Sequence, residues 1–211
     1  MLALYRDGFW ISPYVFSCFV ALKEKGLEFE VREVALQKKA QLEAGYAERS
    51  VTGRVPSLEH DRFVVAESSA IVEYLEDAFP GTPAVMPKDA KDRARARQIM
   101  AWIRSDDTFP IREERPTSTM FYELTKTPFT AAGTKAVAKL VAVTERLLAH
   151  DARRPFGVWS VADADLAFML QRLLINGDEV PANVKAYAET EWQRPSVRAF
   201  VEQKRMVYVP Y

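Results

Sequence analysis

The sequence is poor in the residues that build metal and disulfide frameworks. It holds one cysteine, Cys18, and two histidines, His60 and His150. One cysteine excludes an internal disulfide and any zinc site made of several thiolates, and two histidines exclude a histidine-rich metal site. The cysteine count fits a reducing compartment. Glycine is sparse as well. No two of the eight glycines lie closer than Gly45 and Gly53, so no GxGxxG, Walker A or GxSxG motif can be written. Net charge is absent, since 29 basic residues balance 29 acidic ones. Nucleic-acid binding through bulk positive charge is therefore not expected.

Long apolar runs are missing too. The longest uncharged stretch, Gly8 to Leu22, contains Pro13 and falls short of the roughly 18–20 residues that span a bilayer. It also makes a poor signal peptide. Arg6 and Asp7 cancel ahead of it, and Lys23-Glu24-Lys25 stands where a small-residue cleavage site should be. These features lead to the expectation of a soluble cytoplasmic protein with neither membrane nor nucleic acid as partner. The 211 residues, 48% of them hydrophobic and 27% charged, suffice for one domain or two small ones with a real core.

The chain reads as two parts. Leu2–Arg6 is strand-like. Ser12-Pro13 opens a helix to about Lys25, with Ser12 as N-cap, Pro13 at the first helical position and Gly26 as the stop. Lys23 and Lys25 suit the negative end of that helix. Phe29–Leu36 alternates like a strand, with Phe29, Val31, Glu33 and Ala35 on one side. Gln37–Tyr46 is polar, a short helix or loop. Val55–Leu58 and Phe63–Val65 read as strands around a turn at Glu59–Arg62, and Ser68-Ser69 opens a further helix to Phe79. Pro80, Gly81, Pro83 and Pro87 then mark a linker. From Asp89 the periodicity is almost purely helical: Ala96, Ile99, Met100, Ile103, then Val137, Leu140, Val141, Thr144, then Trp159–Leu174 and Pro195–Lys204. Ser160 with Asp163 resembles a capping box. The expected fold is an α/β domain over 1–80, a linker over 81–88 and an all-helical domain over 89–211.

Four segments in this order carry a resemblance: Ser12-Pro13-Tyr14-Val15, Arg54-Val55-Pro56-Ser57-Leu58, Glu67-Ser68-Ser69-Ala70-Ile71-Val72-Glu73-Tyr74-Leu75 and Trp159-Ser160-Val161-Ala162-Asp163-Ala164-Asp165. Together they resemble the soluble glutathione S-transferases, over nearly the whole chain. Arg93–Ile99 and Ile111–Thr117 are similar to the bacterial YfcF-type transferases, near theta and zeta relatives that use a serine. The resemblance implies a thioredoxin-like N-terminal domain, a helical C-terminal domain and a homodimer. It also implies glutathione as co-substrate, without a metal.

A site for glutathione must hold an ammonium and two carboxylates and turn a thiol into a thiolate. Ser12 is the candidate for the last task. A hydroxyl at a helix N-terminus can donate to the thiolate, and the helix end adds positive potential. One charge-assisted hydrogen bond, worth ~1.5–3 kcal/mol, lowers a thiol pKa of ~8.5 by ~1–2 units. The plainer reading is that Ser12 only caps its helix. At Val55-Pro56 the resemblance implies a cis proline whose preceding residue pairs with the cysteinyl backbone; the plainer reading is a trans proline at an edge strand. Glu67 and Ser68 would clamp the γ-glutamyl ammonium and carboxylate, or simply flank a helix start. Gln41, with Lys38 and Lys39 nearby, is the candidate for the glycyl carboxylate, or part of a solvated loop.

Cys18 invites a nucleophile reading. Six positions beyond Ser12 turn the helix by ~600° and raise it ~9 Å, away from that end, so a small buried hydrophobe is expected. Trp102, Phe109, Met120 and Phe121 are candidates for an electrophile pocket. Arg93, Arg97, Arg104, Arg112 and Arg115 either form solvated faces or attract an anionic substrate. His60 and His150 read as surface residues. The function this implies is thiolate attack on a hydrophobic electrophile or reduction of an organic hydroperoxide. The alternatives are a non-catalytic binding or assembly module and a thiol-disulfide reductase, which needs an active cysteine.

Overall fold

The computed structural model describes residues 1–151 and 154–210. Two compact units emerge, Met1–Val85 with Pro195–Tyr211, and Met86–Arg194. Among the described residues no helix is long and apolar enough to cross a membrane.

The first unit holds β1 (Leu2–Asp7), α1 (Pro13–Glu24), β2 (Glu30–Val34), the four-residue α2 (Ala44–Ala47), β3 (Ser57–His60), β4 (Phe63–Ala66) and α3 (Ser68–Ala78). The sheet runs β2-β1-β3-β4, with β1 and β2 parallel and the other two pairs antiparallel. This βαβ-then-ββα order is the thioredoxin-like arrangement the sequence suggested. Helix α1 is buried from Val15 through Leu22 because it packs on β1 and α3 and also on α10 (Pro195–Val201). The sequence reading put 195–211 in the helical domain. Its side chains instead meet α1, where Phe200 stacks edge-on with Trp10, Phe16 and Phe19, and Ser196 donates to Glu24.

Three local expectations shift. In β2 the buried residue is Val34, packed with Ala3 and Tyr5, while Val31 is 38% exposed. The strand pairs through only one edge, so its alternation carries little burial on the expected side. Strand β3 runs on through His60, leaving Asp61 and Arg62 as the turn, with Asp61 at φ +55°. His60 is thereby half-buried rather than a surface residue, its Nδ1 2.7 Å from the Tyr74 hydroxyl.

The second unit holds α4 (Ala90–Trp102), α5 (Phe109–Glu114), α6 (Ser118–Phe121), α7 (Ala131–His150), α8 (Val161–Asn176) and α9 (Ala182–Trp192). Helix α8 is the central one, packed on by α4, α6 and α9 and buried on nearly every face. The expected capping box is present at its start, with the Asp163 carboxylate accepting from the Ser160 N–H at 2.9 Å.

Candidate active site

Strand register places the segments that carry the candidate residues of the first unit at one end of the sheet. Asp7 ends β1 opposite Val34 at the end of parallel β2. Tyr5 lies opposite Ser57 at the start of β3, and Ser57 opposite Ala66 at the end of β4. The continuations from these points all leave the same end of the sheet. They are the 8–12 loop with Ser12, the segment with Gln41, Val55-Pro56, and Glu67-Ser68. Two helices also begin there, α1 after Ser12 and α3 at Ser68, so the positive ends of two helix dipoles meet that end of the sheet.

Ser12 caps α1. Its Oγ accepts from the Val15 N–H at 3.3 Å, and its own N–H donates to Asp7 Oδ1 at 3.2 Å. The cap uses the hydroxyl as an acceptor, which leaves its proton to donate. The structural and the chemical readings of Ser12 are therefore compatible.

The loop before Ser12 is closely held. Asp7 is fully buried, and its other carboxylate oxygen accepts from the Ile11 N–H at 3.0 Å. Trp10 sits at φ +55°, a conformation that costs a bulky residue roughly 1–3 kcal/mol. Sequence reasoning missed Asp7. The available signal was a charged residue closing an otherwise apolar strand, since a buried carboxylate needs donors and the N–H groups of the next turn supply them.

The Val55–Pro56 peptide is cis. The Tyr46 phenol fixes the segment around it, donating to the Arg54 carbonyl at 2.7 Å and lying 2.9 Å from Ser57 Oγ. Burial raises the Tyr46 phenol above its ordinary pKa. Glu67 is exposed at φ +69° just before α3, and Ser68 is buried at the first position of that helix. Gln41 is half-buried in a short 3-10 turn, where its Oε1 is shielded from solvent without a hydrogen-bond partner among the described residues. Its amide N–H₂ is the group of suitable polarity for a carboxylate.

Cys18 is buried, with its Sγ 3.8 Å from the Ser68 carbonyl oxygen. It joins α1 to the start of α3 as a packing residue.

The four electrophile-pocket candidates lie in the helical unit. Trp102 lines a groove of about 820 Å³ with Ile99, Val143 and Leu147, and its indole N–H donates to Asp107 at 3.0 Å. Phe109, Met120 and Phe121 are not part of that lining. Phe109 is half exposed under Arg112, Met120 is buried, and Phe121 lies against Phe168. The partners of Arg104, Arg112 and Arg115 are internal. Arg104 pairs with Asp165 at 2.7 Å, Arg112 donates to the Ile103 and Ser105 carbonyls, and buried Arg115 forms a two-pronged bridge to Asp178. Those three support the plain reading of structural cations. Arg93 and Arg97 lie on α4.

Comparison with known proteins supplies a context for this geometry. A family model for the glutathione S-transferase N-terminal domain matches residues 11–78, and one for the C-terminal domain matches residues 89–205. A glutathione transferase homologue from Burkholderia, solved with bound glutathione, is 42% identical over 95% of each chain, with a TM-score of 0.75. The probable glutathione S-transferase of Oryza sativa subsp. japonica is 37% identical over 125 residues, 59% of this chain and 53% of that relative. The chain thus spans about half the length of the curated relatives it matches. A silkworm glutathione S-transferase shares the fold at 21% identity and a TM-score of 0.79.

Proposed function

The chain belongs to the glutathione S-transferase family, and we propose that it activates the thiol of glutathione for attack on hydrophobic electrophiles. What supports this reading is that Ser12, cis Val55-Pro56 and Glu67-Ser68 all adjoin one end of the sheet, where α1 and α3 begin. Glu67 takes the γ-glutamyl ammonium, and the Ser68 hydroxyl with the first N–H groups of α3 takes its carboxylate. The backbone of Val55 pairs with the cysteinyl residue, and Gln41 meets the glycyl carboxylate. The Ser12 hydroxyl donates to the thiolate sulfur. The thiolate then attacks an electrophilic carbon and displaces its leaving group. With an organic hydroperoxide it attacks the O–O bond, and a second glutathione completes the reduction to alcohol, water and glutathione disulfide. The protein works as a homodimer in the cytoplasm. Burial of Cys18 disfavours the thiol-disulfide reductase reading, because the thiolate of such an enzyme must be accessible.

The test is turnover of glutathione with an aryl halide and with cumene hydroperoxide by wild type and Ser12→Ala, beside calorimetric binding of glutathione. Loss of one charge-assisted hydrogen bond predicts a roughly 10- to 100-fold fall in kcat with binding retained. Unchanged rates would remove Ser12 from the mechanism. A wild type that binds glutathione without turnover would leave the binding-module reading. Glu67→Gln should do the opposite of Ser12→Ala, weakening glutathione binding by roughly 10- to 100-fold while kcat at saturation stays near wild type.

A further inference from the structure

We infer that Arg205 is a positioning residue for Ser12, acting from the C-terminal tail through the carbonyl of Trp10. The inference rests on the reading of Ser12 given above.

The backbone of the 8–12 loop is held from two directions. From the sheet side, the Asp7 carboxylate accepts the N–H groups of Ile11 and Ser12. From the other side comes the tail that follows α10. Arg205 Nη2 donates to the Trp10 carbonyl at 3.1 Å, a contact spanning 195 positions of sequence. The same guanidinium donates to the carbonyls of Phe200, Val201 and Gln203 at 2.7–3.2 Å. It therefore sits at the carbonyl end of α10, where a cation is favoured, and its planar fork is fixed before it reaches Trp10.

The side chains of the loop are held by α10, by β1 and by the tail. Trp10 is 5% exposed, edge-on to Phe200, with the Arg6 guanidinium 4.5 Å above its ring. Phe9 is buried and meets Tyr208 edge-on at 5.2 Å. A bulky residue at positive φ persists only where its surroundings over-determine it. Asp7 fixes the N–H groups on the Ser12 side of the loop, and Arg205 fixes the carbonyl of the left-handed residue. Without Arg205 the Trp10–Ile11 peptide is held only through the Ile11 N–H, on the Asp7 side, and Ser12 is the next residue along. A hydroxyl that must meet a thiolate at hydrogen-bond distance loses its effect with a small displacement.

The experiment is a double-mutant cycle of Arg205→Met and Ser12→Ala. It is read by kcat, by KM for glutathione and by the pH titration of the bound thiol through its ultraviolet thiolate absorbance. Arg205→Met should raise the pKa of the bound thiol and lower kcat roughly 3- to 10-fold, with KM for glutathione nearly unchanged. In the Ser12→Ala background the same change should cost nothing further. Arg205→Lys, which keeps a donor without the fork, should recover part of the loss. A wild-type kcat and thiol titration in Arg205→Met, beside a loss in Ser12→Ala, would overturn the positioning role alone. Equal losses from Arg205→Met in both backgrounds would overturn it too, since the residue would then act without Ser12. An unchanged thiol titration in Ser12→Ala would overturn the reading of Ser12 and the positioning role with it. If Arg205→Met gives no folded protein, Arg205→Lys and Arg205→Gln run the same cycle with the same outcomes.

Discussion

Replacing Lys25 by Met is expected to destabilise the protein by about 3–5 kcal/mol, the cost of leaving one partner of a buried ion pair uncompensated. Lys25 lies at the end of α1 with its side chain 1% exposed, and its Nζ donates to Glu76 Oε1 at 2.9 Å and to the Pro83 carbonyl at 3.3 Å. The same Glu76 oxygen accepts from the Val85 N–H at 3.0 Å. One ammonium and one carboxylate thus tie the end of α1 to α3 and to the chain that leaves the first unit. Met fills the space of the lysine stem but leaves the Glu76 charge buried with a single N–H donor. The double variant Lys25→Met with Glu76→Gln removes that charge and keeps an acceptor for Val85, so it should lose much less than the single variant. Urea unfolding of the three proteins, followed by circular dichroism and by tryptophan fluorescence, measures the difference. A single variant no less stable than the double would contradict the argument.

This ion pair also marks the limit of what the sequence discloses. Lys25 reads as a cation suited to the end of a helix, which it is, but nothing local announces a partner 51 positions away. Features written over a few residues were legible. The Ser12-Pro13 cap, the stop after α1, the proline linker and the Ser160–Asp163 box each depend on neighbours along the chain. Features that depend on tertiary packing were not. The side of β2 that becomes buried is set by Ala3 and Tyr5 of the adjacent strand, not by its own alternation. Helix α9 buries Val184, Tyr187, Ala188, Glu191 and Trp192, a helical stripe hidden by an acidic residue that is buried because the Trp159 indole donates to it. At the candidate site, Ser12, Pro56, Glu67 and Ser68 could be named from short motifs. Asp7, Trp10, Tyr46 and Arg205 act through backbone groups, and a backbone partner leaves no mark in residue type.

Asp163 should make the stability of the protein fall as pH rises from about 4 to about 7. Burial pushes its carboxyl up from an ordinary value of 3.8 to about 7, the nearby Glu191 carboxylate adds to the rise, and donors from Ser160 and Tyr187 only partly offset it. The folded chain therefore holds a proton over this interval that the unfolded chain has released. Folding then takes up a proton, so each unit of rising pH removes about 1.4 kcal/mol of stability. The contribution is whole below the unfolded value and gone above the folded one, a total on the order of 4 kcal/mol across the window. Asp163→Asn keeps an amide oxygen for the Ser160 N–H and carries no charge, so its stability is blind to this proton. Chemical denaturation of both proteins at pH 5 and pH 8 isolates the effect from every other titrating group. The variant should gain on the wild type by about 3 kcal/mol between the two, an order-of-magnitude figure for the two units from pH 5 to the folded value. A constant difference would mean that Asp163 stays ionised throughout, its charge held by Ser160 and Tyr187. Burial would then be the weaker force at the start of α8.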